Sequence, residues 1–285
     1  MRRITSANLT SQTQKTIGLF SGLYHSLFIN FSGTAKDVVS VLPDALKAIR
    51  VTYRGQDIVN ADAQFFILLN RLKSATSLNN SSNEGGTFNF NILVPFYSYT
   101  NKNNSLPVTA NDNVQLTLDW VNDNISDGTV TVYGIHTNVP FGYFARYMRQ
   151  DLNAALGVNR EEFKRTNIES VYLTHTHNEL QTNITNIQQI KNSNLLVDAS
   201  PTDLLQNQLT RNQKDSIANF GGVGAMTNVG ILELPYTGMN TIQETMGNRF
   251  EILYSLSAAL NLRQYIVSIE FDSNVREESQ KIIRQ

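Results

Sequence analysis

The chain has 285 residues, no cysteine and a formal net charge of −1, and only 16% of its residues are charged. These figures exclude a disulfide framework, cysteine-held zinc and a cysteine nucleophile. They also argue against direct nucleic-acid binding, which needs surplus cations to neutralise phosphates. Asn is abundant, with 33 residues, and the shortage of strong helix formers disfavours a helical bundle.

In chain order, residues 1–22 read as a polar N-terminal arm whose cations are Arg2, Arg3 and Lys15. No segment reaches the length of uninterrupted apolar residues that a spanning helix needs. The nearest, Ile17–Phe31, is broken by Gly18, Ser21, Gly22, His25, Ser26 and Asn30. The basic start also lacks the compact apolar core of a signal peptide. Residues 23–137 read as a first β-sandwich, opened by a strand with Leu27, Ile29 and Phe31. A strand at Ile49–Val51, a turn at Gly55 and a short strand at Ile58–Ala61 lead into a helix. Asp62 is placed to cap that helix, and Arg71 and Lys73 suit its C-terminal end. Loops over 74–87 and 99–113 are rich in Asn, Ser and Gly and are expected to be exposed. Val114, Leu116, Leu118 and Trp120 alternate with polar residues, as a half-buried strand requires, and Thr129–His136 is a further strand. Residues 138–168 read as a linker, with helical character around Phe144–Leu156 stopped by Gly157. Residues 169–272 read as a second β-sandwich with a helix near 201–214, and 273–285 as a polar tail.

The second half repeats the first. Ala61 and Ala199 close equivalent strand–turn–strand units, since 199 − 61 = 138. Ser200, Pro201 and Asp203 give a cap, a first-turn proline and a capping-box-like acid at the start of the second helix. Pro95 and Pro235 end equivalent strands, since 235 − 95 = 140, and the alternating runs from Val114 and Phe250 match, since 250 − 114 = 136. The sequence therefore predicts an all-β chain of two tandem antiparallel β-sandwiches, each with one inserted helix.

Sites of chemistry are sparse. His175 and His177 would share one face of a strand and are the only metal-ligand candidates. The metallo-β-lactamase pattern fails because Glu179 and Leu180 stand where it needs Asp and His. The cupin pattern fails because no His follows His177. The ordinary reading is two polar strand residues, with no catalytic role. Gly221–Gly224 lacks the Lys-Ser/Thr pair of a phosphate loop. Asn122–Gly128 misses the Glu that closes an EF-hand; a hairpin loop is the better reading, and weak Ca²⁺ binding is the residual one. No cofactor is required and no enzyme is expected. Two rivals stay open: a tandem β-sandwich that binds carbohydrate, and a duplicated, bicupin-like β-barrel metalloenzyme.

Ile49–Asp57 followed by Asp62–Lys73, repeated in the second half, resembles the strand–turn–helix unit of double jelly-roll major capsid proteins. These belong to tailless icosahedral phages that contain a membrane, of the corticovirus and finnlakevirus type. The resemblance implies a homotrimeric, pseudo-hexagonal capsomer in a capsid lattice. Penton and minor capsid proteins would be its neighbours, with an internal membrane below and no direct contact with nucleic acid. It implies residence in the virion after assembly in the host cytoplasm. The absence of long insertions implies a flat outer surface. The arm cations Arg2, Arg3 and Lys15 would then meet anionic head groups, at about 1 kcal/mol each.

Overall fold

The computed structural model describes residues 1–36, 46–73, 86–98, 103–138, 143–163, 168–174, 179–211, 231–236 and 249–271. The chain divides into two units. The first comprises Met1–Asn70, Ser77–Arg146 and Glu270–Gln285, and the second Arg71–Thr76 and Tyr147–Ile269.

In the first unit the strands are β1 (Arg2–Asn8), β2 (Gln14–Gly18), β3 (Gly22–Ala35), β4 (Leu46–Tyr53) and β5 (Gln56–Ala61). Helix α1 (Ala63–Lys73) follows, then β6 (Thr87–Pro95), β7 (Leu106–Val108), β8 (Val114–Trp120) and β9 (Ile125–His136). One sheet runs β1-β9-β3-β6, with β7 beside β3, and the other runs β2-β8-β4-β5. Alternation puts Leu27, Ile29 and Phe31 of β3 inward, where Phe31 lies 5.5 Å from Phe88 between ring centres. Asn30 of the same strand points outward and donates to Asn89 and Asn91 of β6 at 2.7 and 2.8 Å.

The second unit takes up β10 (Tyr143–Ala154) and adds β11 (Gly157–Phe163), β12 (Ile168–Thr174), the single turn α2 (Glu179–Thr182), β13 (Ile184–Lys191) and β14 (Asn194–Ala199). Helix α3 (Pro201–Arg211), β15 (Ile231–Pro235), β16 (Phe250–Leu256) and β17 (Leu260–Phe271) complete it. Its sheets run β10-β17-β12-β15 and β11-β16-β13-β14. Leaving aside β7, which has no counterpart among the described strands, each strand order is that of the first unit.

The registers repeat as well. Ser26 of β3 faces Pro95, and Ser170 of β12 faces Pro235. Just beyond, the Phe96 N–H donates to the His25 carbonyl, and the Tyr236 N–H to the Glu169 carbonyl, both at 2.9 Å. The hairpins β4–β5 and β13–β14 both turn on two left-handed residues. These are Arg54 and Gly55 (φ 49° and 79°) and Asn192 and Ser193 (φ 51° and 67°), the turn whose twist matches that of paired strands. Both helices have 11 residues and are capped as the sequence predicts. Asp62 Oδ1 accepts the Phe65 N–H at 2.9 Å, and Ser200 Oγ accepts the Asp203 N–H at 3.2 Å.

Four expectations are corrected. Residues 1–22 are not an arm, because β1 and β2 are strands of the first sandwich, anchored by buried Ala7 and Leu9. Each sits at the rim of its sheet, and a rim strand needs few apolar residues, so the segment reads as polar. Residues 138–168 are not a linker, because β10 and β11 are the corresponding two strands of the second sandwich. The Phe144–Leu156 stretch is a strand, since pairing in a sheet overrides the helical preference of its Ala, Met, Arg and Gln. Gly157 does adopt a left-handed φ of 102°, but it turns a hairpin and not a helix end. Finally, the 99–113 loop is not exposed throughout: Asn104, Ser105, Leu106 and Val108 are fully buried where β7 pairs with β3. The tail over 273–285 and the Gly221–Gly224 turn lie outside the described residues.

Candidate functional site

The three cations singled out in the sequence lie on the first two strands. Arg2 stands on β1 with its guanidinium 4.6 Å from the ring centre of Phe20, and Arg3 donates to Ser6 Oγ. Lys15 lies on β2 opposite Leu118. All three cations are thus placed on strands of the first unit.

His175 and His177 lie outside the described residues. Among the described residues no group of three His, Asp or Glu side chains could hold a metal ion. The two described histidines pack as rings. His25 stacks on Tyr97 with centres 4.3 Å apart, and His136 tilts against Tyr24 at 4.4 Å. Gly134 leaves room for both rings of that second pair: a Cβ there would stand 2.7 Å from Tyr24 Cε1 and 3.0 Å from His136 Nε2. Burial, the N-terminal ammonium and Arg2 all push the His136 pKa down.

Trp120 is 3% exposed, and its indole N–H donates to the Leu9 carbonyl at 3.0 Å. The only Trp of the chain is therefore inside and offers no platform to a sugar.

Two buried carboxylates are the centres of charge, and neither was legible in the sequence because their partners are far away along the chain. Glu233 on β15 receives Lys73 Nζ at 2.6 and 2.7 Å, the Tyr172 hydroxyl at 3.0 Å and the Ser170 hydroxyl at 3.3 Å. Its backbone N–H donates to Gln208 of α3 at 2.6 Å. Glu251 on β16 is covered by Arg160 and Arg249, and Arg249 reaches on to Glu162 at 2.7 Å. In both cases donors from other elements engage the carboxylate, so these groups hold strands and helices together.

The surface offers apolar side chains at hairpins and rim strands. Leu156 and Val158 flank the β10–β11 turn at 69% exposure each, and Leu195 on β14 is 54% exposed.

No protein-family model matches the chain, and no curated protein matches it in sequence. Solved structures do. The STIV major capsid protein matches with a TM-score of 0.66 at 10% identity, over 95% of this chain and 96% of that one. The fold is a double jelly roll. The major capsid protein of bacteriophage PM2 matches with a TM-score of 0.57 at 12% identity, over 96% of both chains. The Faustovirus major capsid protein matches with a TM-score of 0.52 at 8% identity, over 90% of this chain and 87% of that one. In jelly-roll terms β1 and β10 are the opening strands, and α1 and α3 are the helices inserted after the fifth strand of each roll.

Proposed function

We propose that the chain is a major capsid protein that assembles as a homotrimeric, pseudo-hexagonal capsomer in an icosahedral shell. The observation that carries this reading is two complete jelly rolls in one chain, with the same strand order and the same inserted helix, matching major capsid proteins over nearly the whole length of both partners. Two similar rolls per chain put six similar rolls around a threefold axis, an outline that tiles a shell with near-equivalent edges. The role is structural and not enzymatic, in keeping with buried carboxylates that are engaged by Lys73, Arg160 and Arg249. In this role the chain's neighbours are further copies of itself, penton and minor proteins, and an underlying membrane. It is made in the host cytoplasm and resides in the virion. The apolar and cationic group of Met1, Arg2 and Phe20 is the segment suited to anionic head groups.

Size-exclusion chromatography with light scattering tests the capsomer. The expected mass is about 96 kDa, three times the 32.0 kDa chain. A stable monomer at micromolar concentration would overturn the reading. Mass spectrometry of purified particles should then find this chain as their most abundant protein.

A further inference from the structure

The two jelly rolls differ in how one strand is covered. In each roll the hairpin before the helix ends in the last of the four strands that the roll itself contributes to that sheet, β5 in the first and β14 in the second. β5 is sealed, with Ile58, Val59 and Ala61 at most 3% exposed. Tyr143–Arg146, the opening residues of β10, belong to the first unit, and β10 is the next strand beyond β5. Phe144 from that segment meets Tyr53 edge-on with ring centres 5.8 Å apart.

Among the described residues β14 has a neighbour on one side only, β13. Leu195 is 54% exposed, Leu196 and Val197 are half-buried, and Asp198 is the only charge on the strand. An apolar rim strand with unpaired backbone groups is a template for one more strand.

The repeat identifies that strand. β10 opens the second roll, and its counterpart in the first roll is β1. β1 pairs with β9 on one side, and its other side is the end of the sheet. Thus β1 and β14 each lack the neighbour that their counterparts β10 and β5 possess. Charge agrees, since β1 carries Arg2 and Arg3 and β14 carries Asp198.

We propose that β14 of one copy takes β1 of a second copy as its next strand, adding a strand to the exposed sheet edge. Such a contact joins two different surfaces and so propagates from copy to copy until the ring closes. The inference rests on the capsid reading and assigns the strands that join one subunit of the capsomer to the next.

Leu195→Lys tests it, with Val158→Lys on β11, an equally exposed apolar site, as control. Light scattering should show the wild type and Val158→Lys as trimers and Leu195→Lys as a monomer, all with the same circular dichroism, and only Leu195→Lys with a melting temperature independent of protein concentration. Hydrogen exchange on the wild type, which needs no variant, should show the β1 and β14 amides exchanging at least about tenfold more slowly in the trimer than after dilution to monomer. A trimer in which either strand gains no protection, or a Leu195→Lys protein that stays trimeric, overturns the strand assignment and leaves the capsid reading standing. A wild type that is monomeric at micromolar concentration overturns the capsid reading itself.

Discussion

The two jelly rolls reach one topology by different packing. Helix α1 of the first is buried almost all round, with Phe65, Phe66, Ile67 and Leu69 at 1% exposure or less, whereas α3 shows one buried face through Leu204, Leu205 and Gln208. The first core stacks Phe31, Phe88 and Phe90. Both cores contain buried polar groups, among them Asn70, Asn104 and Ser105 in the first, and the second ties its own to tyrosine hydroxyls. The Tyr236 hydroxyl donates to the Glu251 carbonyl at 2.9 Å, and the Tyr254 hydroxyl donates to Gln264 at 3.1 Å. Burial pushes both tyrosine pKa values well up. What the repeat conserves is therefore not side-chain chemistry but strand order, register, turn type and capping. Those are the features that specify a β fold when core composition drifts.

The largest effects should come from breaking each core in its own way. Phe31→Ala empties an aromatic stack in the first roll and is expected to cost about 3–5 kcal/mol. Glu233→Ala leaves the Lys73 ammonium buried without its carboxylate and removes an acceptor from Tyr172, again at about 3–5 kcal/mol. Urea unfolding measures both. If the second roll relies on its polar cluster as argued, Glu233→Gln should recover part of the loss, because the amide still accepts from Tyr172.

The repeat was readable from Asp62, Ser200, Pro95, Pro235 and the alternating strands, because caps, prolines and period-two patterns are local signals. The helix starts fell where Asp62 and Ser200 indicated. The first two strands of each roll were missed for the opposite reason. β1 and β2 have few apolar residues because they sit at sheet rims. β10 has a helical composition that only its neighbours in the sheet overrule. The Glu233 and Glu251 clusters were invisible because Lys73 and Glu233 are 160 residues apart, and Arg160 and Glu251 are 91 apart. The strand setting of the cations in residues 1–22 could not be read from the sequence, because β1 and β2 lack an apolar alternation.

The caps sharpen the comparison at smaller scale. Asp62 is 7% exposed and its cap bond is buried, whereas the Ser200 cap is exposed. Asp62→Ala should cost about 2 kcal/mol and Ser200→Ala about 0.5–1 kcal/mol. Equal losses would mean that burial does not set the difference. The turns give a pair of opposite sign. Gly55→Ser forces a side chain into a left-handed position and should lose about 1 kcal/mol. Ser193→Gly relieves the same strain in the second hairpin and should gain a similar amount, partly offset by the extra freedom of glycine in the unfolded chain. Thermal melts of the two variants should shift in opposite directions.

The smallest effect is in pH dependence, where one carboxylate from each roll is shifted the opposite way. Burial alone would raise the pKa of Asp112. The Thr109 N–H and hydroxyl, both at 2.8 Å, and Arg54 at 3.0 Å outweigh that burial and hold it below the usual carboxylate range. Glu161 is pushed up by burial, with only Gln150 opposing at 3.3 Å. For Asp112 the folded pKa lies below the unfolded one. Its stabilisation is therefore present above the ordinary carboxylate pKa and is lost as the pH falls through the lower folded value. Glu161 has the reverse sign. The folded state holds its proton more tightly, so its relative stabilisation is full in acid and is lost as the pH rises from the ordinary value through the raised one. Asp112→Asn should therefore flatten the acid limb of a stability–pH curve and lower stability at neutral pH. Glu161→Gln should raise stability at neutral pH and make the curve climb more steeply between the ordinary carboxylate pKa and the raised one, because the group that opposed the rise there is gone. A Glu161→Gln curve that loses stability at neutral pH would mean that the ionised carboxylate, and not the neutral acid, is the form the second core accommodates.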